Sequence, residues 1–242
     1  MAYIPAPELC QGIDEDLILE LGAIIFPGFV ERTPGKNGLR LKLEGDYMED
    51  SLLKTAADQF QTLLGVLRAW RPLAGQRADE VRPGIGKGSI QDDLGNQVVK
   101  LSSVVSDNTF SPEVEVYARE AKLASECSPH LRNALWLNGR RDRNAADFYM
   151  VYEYAEDDLG CRKKIVEALG VSDNDIKRLK NSANNLAPID GGRHAKRSGI
   201  AEWGLNDQMK FVARFLKSWI RFHAHEAKKV PGGTWSEKSG AF

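Results

Sequence analysis

Residues 48–70 read MEDSLLKTAADQFQTLLGVLRAW, and the fold is read from this stretch outward. Its apolar residues Leu52, Leu53, Ala56, Phe60, Leu63, Leu64, Leu67 and Trp70 recur three and four apart, the pattern of an amphipathic helix. Arg71 and Pro72 end it. Upstream, DLILELGAII at 16–25 runs into Pro27 and Gly28, which stop regular structure, and its second half reads as a strand. Segments 29–33 and 39–44 flank PGKNG, a turn with two glycines available for positive φ, and so predict a β-hairpin. In its second arm Leu39, Leu41 and Leu43 alternate with Arg40, Lys42 and Glu44, as in a half-buried antiparallel strand. A polar, glycine-rich connection over 74–95 precedes QVVKLSSVV at 97–105, read as a further strand. The N-terminal layout is therefore a small sheet with a helix on one face.

Beyond Asp107 the text turns helical. Ser111, Pro112 and Glu113 make a helix start with a side-chain cap, a proline where no N–H is needed and a carboxylate near the positive helix end; Ser128 and Pro129 repeat the device. A helix beginning near Asp142 buries Ala146, Tyr149, Val151 and Tyr152 or their neighbours, and another carries Leu159, Ile165, Val166 and Leu169 to a stop at Gly170. Ser172 ahead of Asp175 opens a capped helix. Asn206 is expected to cap a long last helix with Met209, Val212, Phe215, Leu216, Trp219 and Phe222 or His223 in one stripe. The predicted class is α+β: an N-terminal domain over 1–106 with a small antiparallel sheet and a packed helix, then an all-helical bundle over 107–227. Residues 228–242, with Pro231, Gly232, Gly233 and Gly240, read as a loose tail.

Apolar residues at 42% and charged residues at 28% are ordinary for a globular chain and exclude wholesale disorder. The net charge of −1 hides a polarity. The first 60 residues hold 11 acidic against 5 basic side chains, net −6, while 175–229 hold 12 basic against 5 acidic, net +7. The C-terminal part is the electropositive end. Cys10, Cys127 and Cys161 lie far apart with no CxxC pair, so neither a disulfide framework nor a thiolate zinc site is indicated. No stretch approaches the ~18 consecutive apolar residues of a membrane span, and the N-terminus lacks a basic flank followed by an apolar run. These features point to the cytoplasm, with no membrane contact.

RPGIGKGS at 82–89 fails as a phosphate loop, because Lys87 is followed by Gly88 and the text before it is charged; it reads as a connection. His223 and His225 stand two apart on a predicted helix and so point to different faces, which indicates no metal site, and His223 falls with the apolar stripe as a core or interface residue. Glu156, Asp157 and Asp158 are consecutive, as at a solvated helix end, and carry no acid–base assignment. Phe148, Tyr149, Tyr152 and Tyr154 could stack bases, but on a helix core packing is the ordinary account. No cofactor is indicated.

The cluster that remains lies in 175–198, DIKRLKNSANNLAPIDGGRHAKRS. Gly191 and Gly192 allow a tight turn, and Arg193, His194, Lys196 and Arg197 follow just ahead of the last helix. An arginine fork holds a phosphate, and a histidine moves protons near neutrality; these are the parts of a metal-independent ribonuclease. Asn181, Asn184 and Asn185 would orient such a group or end the preceding helix. The bland alternative is a basic surface loop in which His194 bonds structurally.

Taken together, DFYMVYEYAE, CRKKIVEALG, SDNDIKRLKNSANN, the GGRHA loop and FVARFLKSWIRFH resemble a HEPN domain over about residues 111–226. The resemblance implies a helical bundle of the kind found in prokaryotic defence, toxin and RNA-processing systems. Active members of that family carry an arginine and a histidine four to six residues apart near the start of a late helix and pair two such sites across a dimer. Here Arg193 and His194 are adjacent. The whole chain also resembles accessory proteins of methylamine utilisation, from which no chemistry carries over. The resulting expectation is an RNA- or nucleotide-directed homodimer. Arg193 would bind the scissile phosphate and His194 act as acid and base, while Arg178, Lys180, Lys196 and Arg197 steer the polyanion. The alternative is a non-enzymatic accessory protein that docks a protein partner through its acidic N-terminal domain.

Overall fold

The computed structural model describes residues 2–5, 15–28, 30–32, 39–43, 49–70, 112–140, 142–186 and 201–229. In chain order these are β1 (Ala2–Pro5), α1 (Glu15–Ile25), β2 (Val30–Arg32), β3 (Leu39–Leu43), α2 (Glu49–Trp70), α3 (Pro112–Cys127), α4 (Pro129–Gly139), α5 (Ala145–Leu159), α6 (Arg162–Leu169), α7 (Asp173–Asn185) and α8 (Leu205–Lys228).

The α+β class is corrected by this structure to a helical bundle. Among the residues whose side chains are described, 85% are helical. The reason is where α2 buries its stripe: it lies along α4, with further contacts to α8 and α3, rather than covering a sheet. Phe60, Leu63, Leu64 and Leu67 of α2 join Tyr117 of α3, Leu131 and Leu135 of α4, Phe148 of α5 and Phe215 and Trp219 of α8 in one core cluster. Among the described residues backbone pairing survives only as an antiparallel ribbon in the order β1-β3-β2, with Ala2 opposite Leu43 and Val30 opposite Leu41. Strands of 4, 3 and 5 residues do not bury a helix the length of α2.

A second correction concerns residues 16–25. They form a continuous helix, not a half-strand, because Ile18, Leu21 and Ile25 fall on one face and are buried. A short apolar run does not separate helix from strand by composition. Gly28, at φ 76°, takes the chain out of α1 in the left-handed region. The expected strand at 97–105, the 82–89 segment and the Ser111 cap lie outside the described residues, as do 230–242.

Helix starts follow their local chemistry. Ser128 Oγ accepts from Leu131 N at 3.0 Å with Pro129 just inside α4. Asn144 Oδ1 accepts from Ala146 N and Asp147 N at 2.9 and 3.1 Å, while Asp147 Oδ2 accepts from Asn144 N at 3.1 Å, a complete capping box. Ser172 caps α7 through a longer, exposed 3.4 Å bond from Asp175 N. At α8 the expectation fails: Gly204 holds the N-cap position without a side-chain bond and Asn206 lies inside the first turn. Asn144→Ala should lower stability by about 1–2 kcal/mol, whereas Ser172→Ala should lower it by under about 0.5 kcal/mol. Urea unfolding midpoints at constant m-value check this pair; equal effects would mean that the buried box adds nothing to a surface cap.

Candidate functional site

The residues expected to carry chemistry divide between two regions. Arg193, His194, Lys196 and Arg197 lie outside the described residues. Arg178, Lys180, Asn181 and Asn185 are in α7, which is amphipathic: Ile176, Leu179 and Ala183 are buried and the charged residues face outward. Arg178 Nε sits 3.3 Å from Glu202 Oε2 and its Nη1 3.9 Å from Asp175 Oδ1. Asn181 Nδ2 donates to the other oxygen of Glu202 at 3.1 Å. One residue on, Trp203 N donates to the buried Ser182 Oγ at 2.8 Å. Both edges of the 187–200 segment are thus tied to each other through Glu202 and Trp203. Arg178 and Asn181 are engaged in that tie, and a guanidinium already facing two carboxylates attracts a polyanion less than a free one. Lys180 is exposed. Asn185 is half-buried at the last position of α7.

A stronger concentration of free charge lies on α8. Lys210, Arg214, Lys217, Arg221 and Lys228 are spaced 4, 3, 4 and 7 residues apart. At about 100° per residue they share one face, an arc of about 60°. Lys210, Arg214, Arg221 and Lys228 are exposed and Lys217 is half-buried. The opposite face, with Val212, Phe215, Leu216, Trp219 and Ile220, is buried. Over 18 residues the row runs about 27 Å. Its acidic neighbours are few. Glu120 Oε1 lies 3.9 Å from Lys228 Nζ, Glu113 favours the charged form of Lys217, and Asp207 opens the helix. Lys217 Nζ sits 4.0 Å above the Trp70 ring and 5.9 Å from the Tyr117 ring. Desolvation there, and then the charge of Arg221, hold its ammonium below the usual lysine range.

On another side of α8, Asp158 Oδ2 accepts from Trp219 Nε1 at 2.8 Å and lies 2.5 Å from His223 Nε2. The Asp158 and His223 side chains are 12% and 15% exposed, so Asp158 is not the solvated helix-end carboxylate that its neighbours suggest. With Nε2 on the carboxylate, only Nδ1 of His223 is left for another partner. The arrangement fastens α8 to the end of α5. His225, 69% exposed, points elsewhere with Nδ1 3.7 Å from Glu226 Oε1.

The buried guanidiniums are similarly committed. Arg68 Nη1 donates to the carbonyls of Asn138, Gly139 and Arg140 at 3.1, 2.7 and 2.7 Å, closing the C-terminal end of α4. Arg143 Nη1 donates to Asn138 Oδ1 at 2.8 Å. Burial, and then the charge of Arg68, hold Arg143 below the usual arginine range, with Asp147 opposing. Arg140 Nη1 pairs with Asp147 Oδ1 at 3.0 Å. Phe148, Tyr149 and Tyr152 are buried and offer no open stacking face; Tyr152 donates to Glu156 Oε1 at 2.7 Å. Cys161 is exposed where α6 begins, and hydrogen bonding from the Lys164 backbone holds its thiol below the usual range. Among the described residues no group of three His, Cys, Asp or Glu side chains is placed to hold a metal, and no helix is long and apolar enough to cross a membrane.

Sequence reasoning found the electropositive half of the chain and missed the row on α8. Its signal was present as cations at helical spacing, but the same letters also spell the apolar stripe that drew the reading. Comparison with protein-family models, with curated proteins and with solved structures finds no match. Fold and site together define a helical bundle with one basic helix face.

Proposed function

We propose that this chain is an RNA- or nucleotide-directed protein of HEPN type, a cytoplasmic homodimer of a defence or RNA-processing system that holds its polyanion on the basic face of α8. The observation that carries this reading is the row Lys210, Arg214, Lys217, Arg221 and Lys228, three of whose members, Lys210, Arg214 and Arg221, make no ion pair among the described residues. Cations whose backbone is held in one line by a packed helix attract phosphate with only their own side chains left to order. Cleavage is the stronger form of the proposal, with Arg193 on the scissile phosphate and His194 moving the proton.

The test is incubation of the purified protein with labelled RNA in EDTA, comparing wild type with Arg193→Ala and His194→Ala. Cleavage lost in both variants supports a ribonuclease. Salt-sensitive binding without cleavage leaves a binding module, and no binding at low salt removes the nucleic-acid reading. A second reading, an accessory protein that docks a partner, draws on the net −6 of the first 60 residues. It predicts that a basic protein surface, not RNA, is retained.

A further inference from the structure

We infer that the basic face of α8 grips the sugar–phosphate backbone of an RNA duplex without reading its sequence, in preference to a single strand or a free nucleotide. The inference rests on the polyanion reading above and specifies its ligand.

The first reason is shape. α8 is one uninterrupted helix of 24 residues, and its other faces are buried against α3, α2, α5, α6 and α4. The row of Lys210, Arg214, Lys217, Arg221 and Lys228 is therefore straight and fixed over about 27 Å, with a cation at roughly every turn of 5.4 Å for the first three turns. A duplex presents phosphates that are also fixed in space and dense along its axis. Two rows on rigid backbones meet with only the exposed lysine and arginine side chains left to order. A mononucleotide would engage one or two of the cations and leave the rest unused.

The second reason is what the face lacks. Proteins that hold single strands add aromatic stacking, worth about 1–3 kcal/mol per base, to a basic groove, which compensates for ordering a flexible chain. Beside this row Tyr117, whose ring lies 5.9 Å from Lys217 Nζ, is 1% exposed. Trp70 is half-buried with Lys217 Nζ seated 4.0 Å over its ring. Phe222 lies about 120° around the helix from Lys210. His225, at the edge of the row, is the one exposed ring among the described residues of that face. On an A-form duplex, whose deep and narrow major groove side chains do not read, lysine and arginine contact phosphates and carry no base information.

The third reason is the number of free charges. Lys217 is engaged with Trp70 and Lys228 stands 3.9 Å from Glu120, which leaves Lys210, Arg214 and Arg221. Three neutralised phosphates give a log–log salt slope of about −2.7 on a duplex.

The test is fluorescence anisotropy of the full chain with a labelled 20-base-pair RNA duplex, a duplex of scrambled sequence, one of the separated strands and a labelled mononucleotide, each at several salt concentrations. Circular dichroism confirms that Arg214→Ala/Arg221→Ala, both exposed, stays folded. The expected results are equal affinity for the two duplexes, at least about tenfold weaker binding of the strand, and a salt slope that falls by about 2 in the double variant. Equal affinity for strand and duplex overturns the inference and leaves the polyanion reading standing. Duplex binding that is sequence-dependent, or unmoved by the double variant, overturns it too. Failure of every nucleic acid to bind at low salt removes both.

Discussion

Gly65→Ala is expected to destabilise the protein by about 3 kcal/mol or more, and Gly139→Ala by as much. Alanine in a helix interior ordinarily stabilises by about 0.5–1 kcal/mol relative to glycine, so the sign is reversed by one crossing. Where α2 meets α4, a Cβ on Gly65 would lie 1.8 Å from the carbonyl oxygen of Leu135, and a Cβ on Gly139 would lie 1.8 Å from that of Gln61. Both obstacles are backbone, which no rotamer change removes. The approach is fastened by polar bonds that need it: Asn138 Nδ2 donates to Gly65 O at 2.9 Å, Gln61 Nε2 to Trp136 O at 3.0 Å, and Trp136 Nε1 to Asp58 Oδ1 at 2.9 Å. Separating the helices by the ångström or two that a methyl demands lengthens all three together. Urea unfolding checks the expectation, with Gly204→Ala as the reference: a Cβ there meets nothing within 4 Å, and only the N-cap preference for glycine over alanine, about 1 kcal/mol or less, applies. If Gly65→Ala proves as stable as wild type, the helices do not cross at these glycines.

The second large effect is expected at Trp219. Trp219→Ala should cost about 3–5 kcal/mol, the range for truncating a fully buried tryptophan, since the ring is 0% exposed. Trp219→Phe keeps most of the apolar volume and removes the N–H that Asp158 Oδ2 receives at 2.8 Å, and should cost about 1–3 kcal/mol. Because His223 Nε2 shares that oxygen, the three groups should behave as one unit. In a double-mutant cycle, Trp219→Phe and Asp158→Asn should therefore couple by at least about 0.5 kcal/mol. Additive effects would show that Trp219 acts through packing alone.

Legibility in the sequence followed the range of the interactions. The α2 stripe, the stops at Pro27 and Gly170, the caps at Ser128 and Ser172 and the apolar face of α8 depend on neighbours within a few residues, and each could be read from the letters. The nature of 16–25 could not, because Ile18, Leu21 and Ile25 suit a buried strand or a helix face until a partner is known. Asp158 was read as solvent-facing because its neighbours Glu156 and Asp157 are acidic; its partners stand 61 and 65 residues away. Arg178 looked like a free cation for the same reason, since Glu202 and the α7 surface meet only once the chain has returned.

The sequence by itself determined the helices from α3 onward, the polarity of charge between the two ends of the chain and the apolar stripes to be buried, because periodicity and capping are local properties of the backbone. The tertiary structure alone decided that α2 lies on α4 and makes the fold a helical bundle instead of a sheet with a helix upon it. Two glycines let that contact close to backbone distance, and no short-range pattern records which two helices will share them. It also decided which cations are spent: α7 turns Arg178 toward Glu202, whereas α8 leaves Lys210, Arg214 and Arg221 facing outward in a single row.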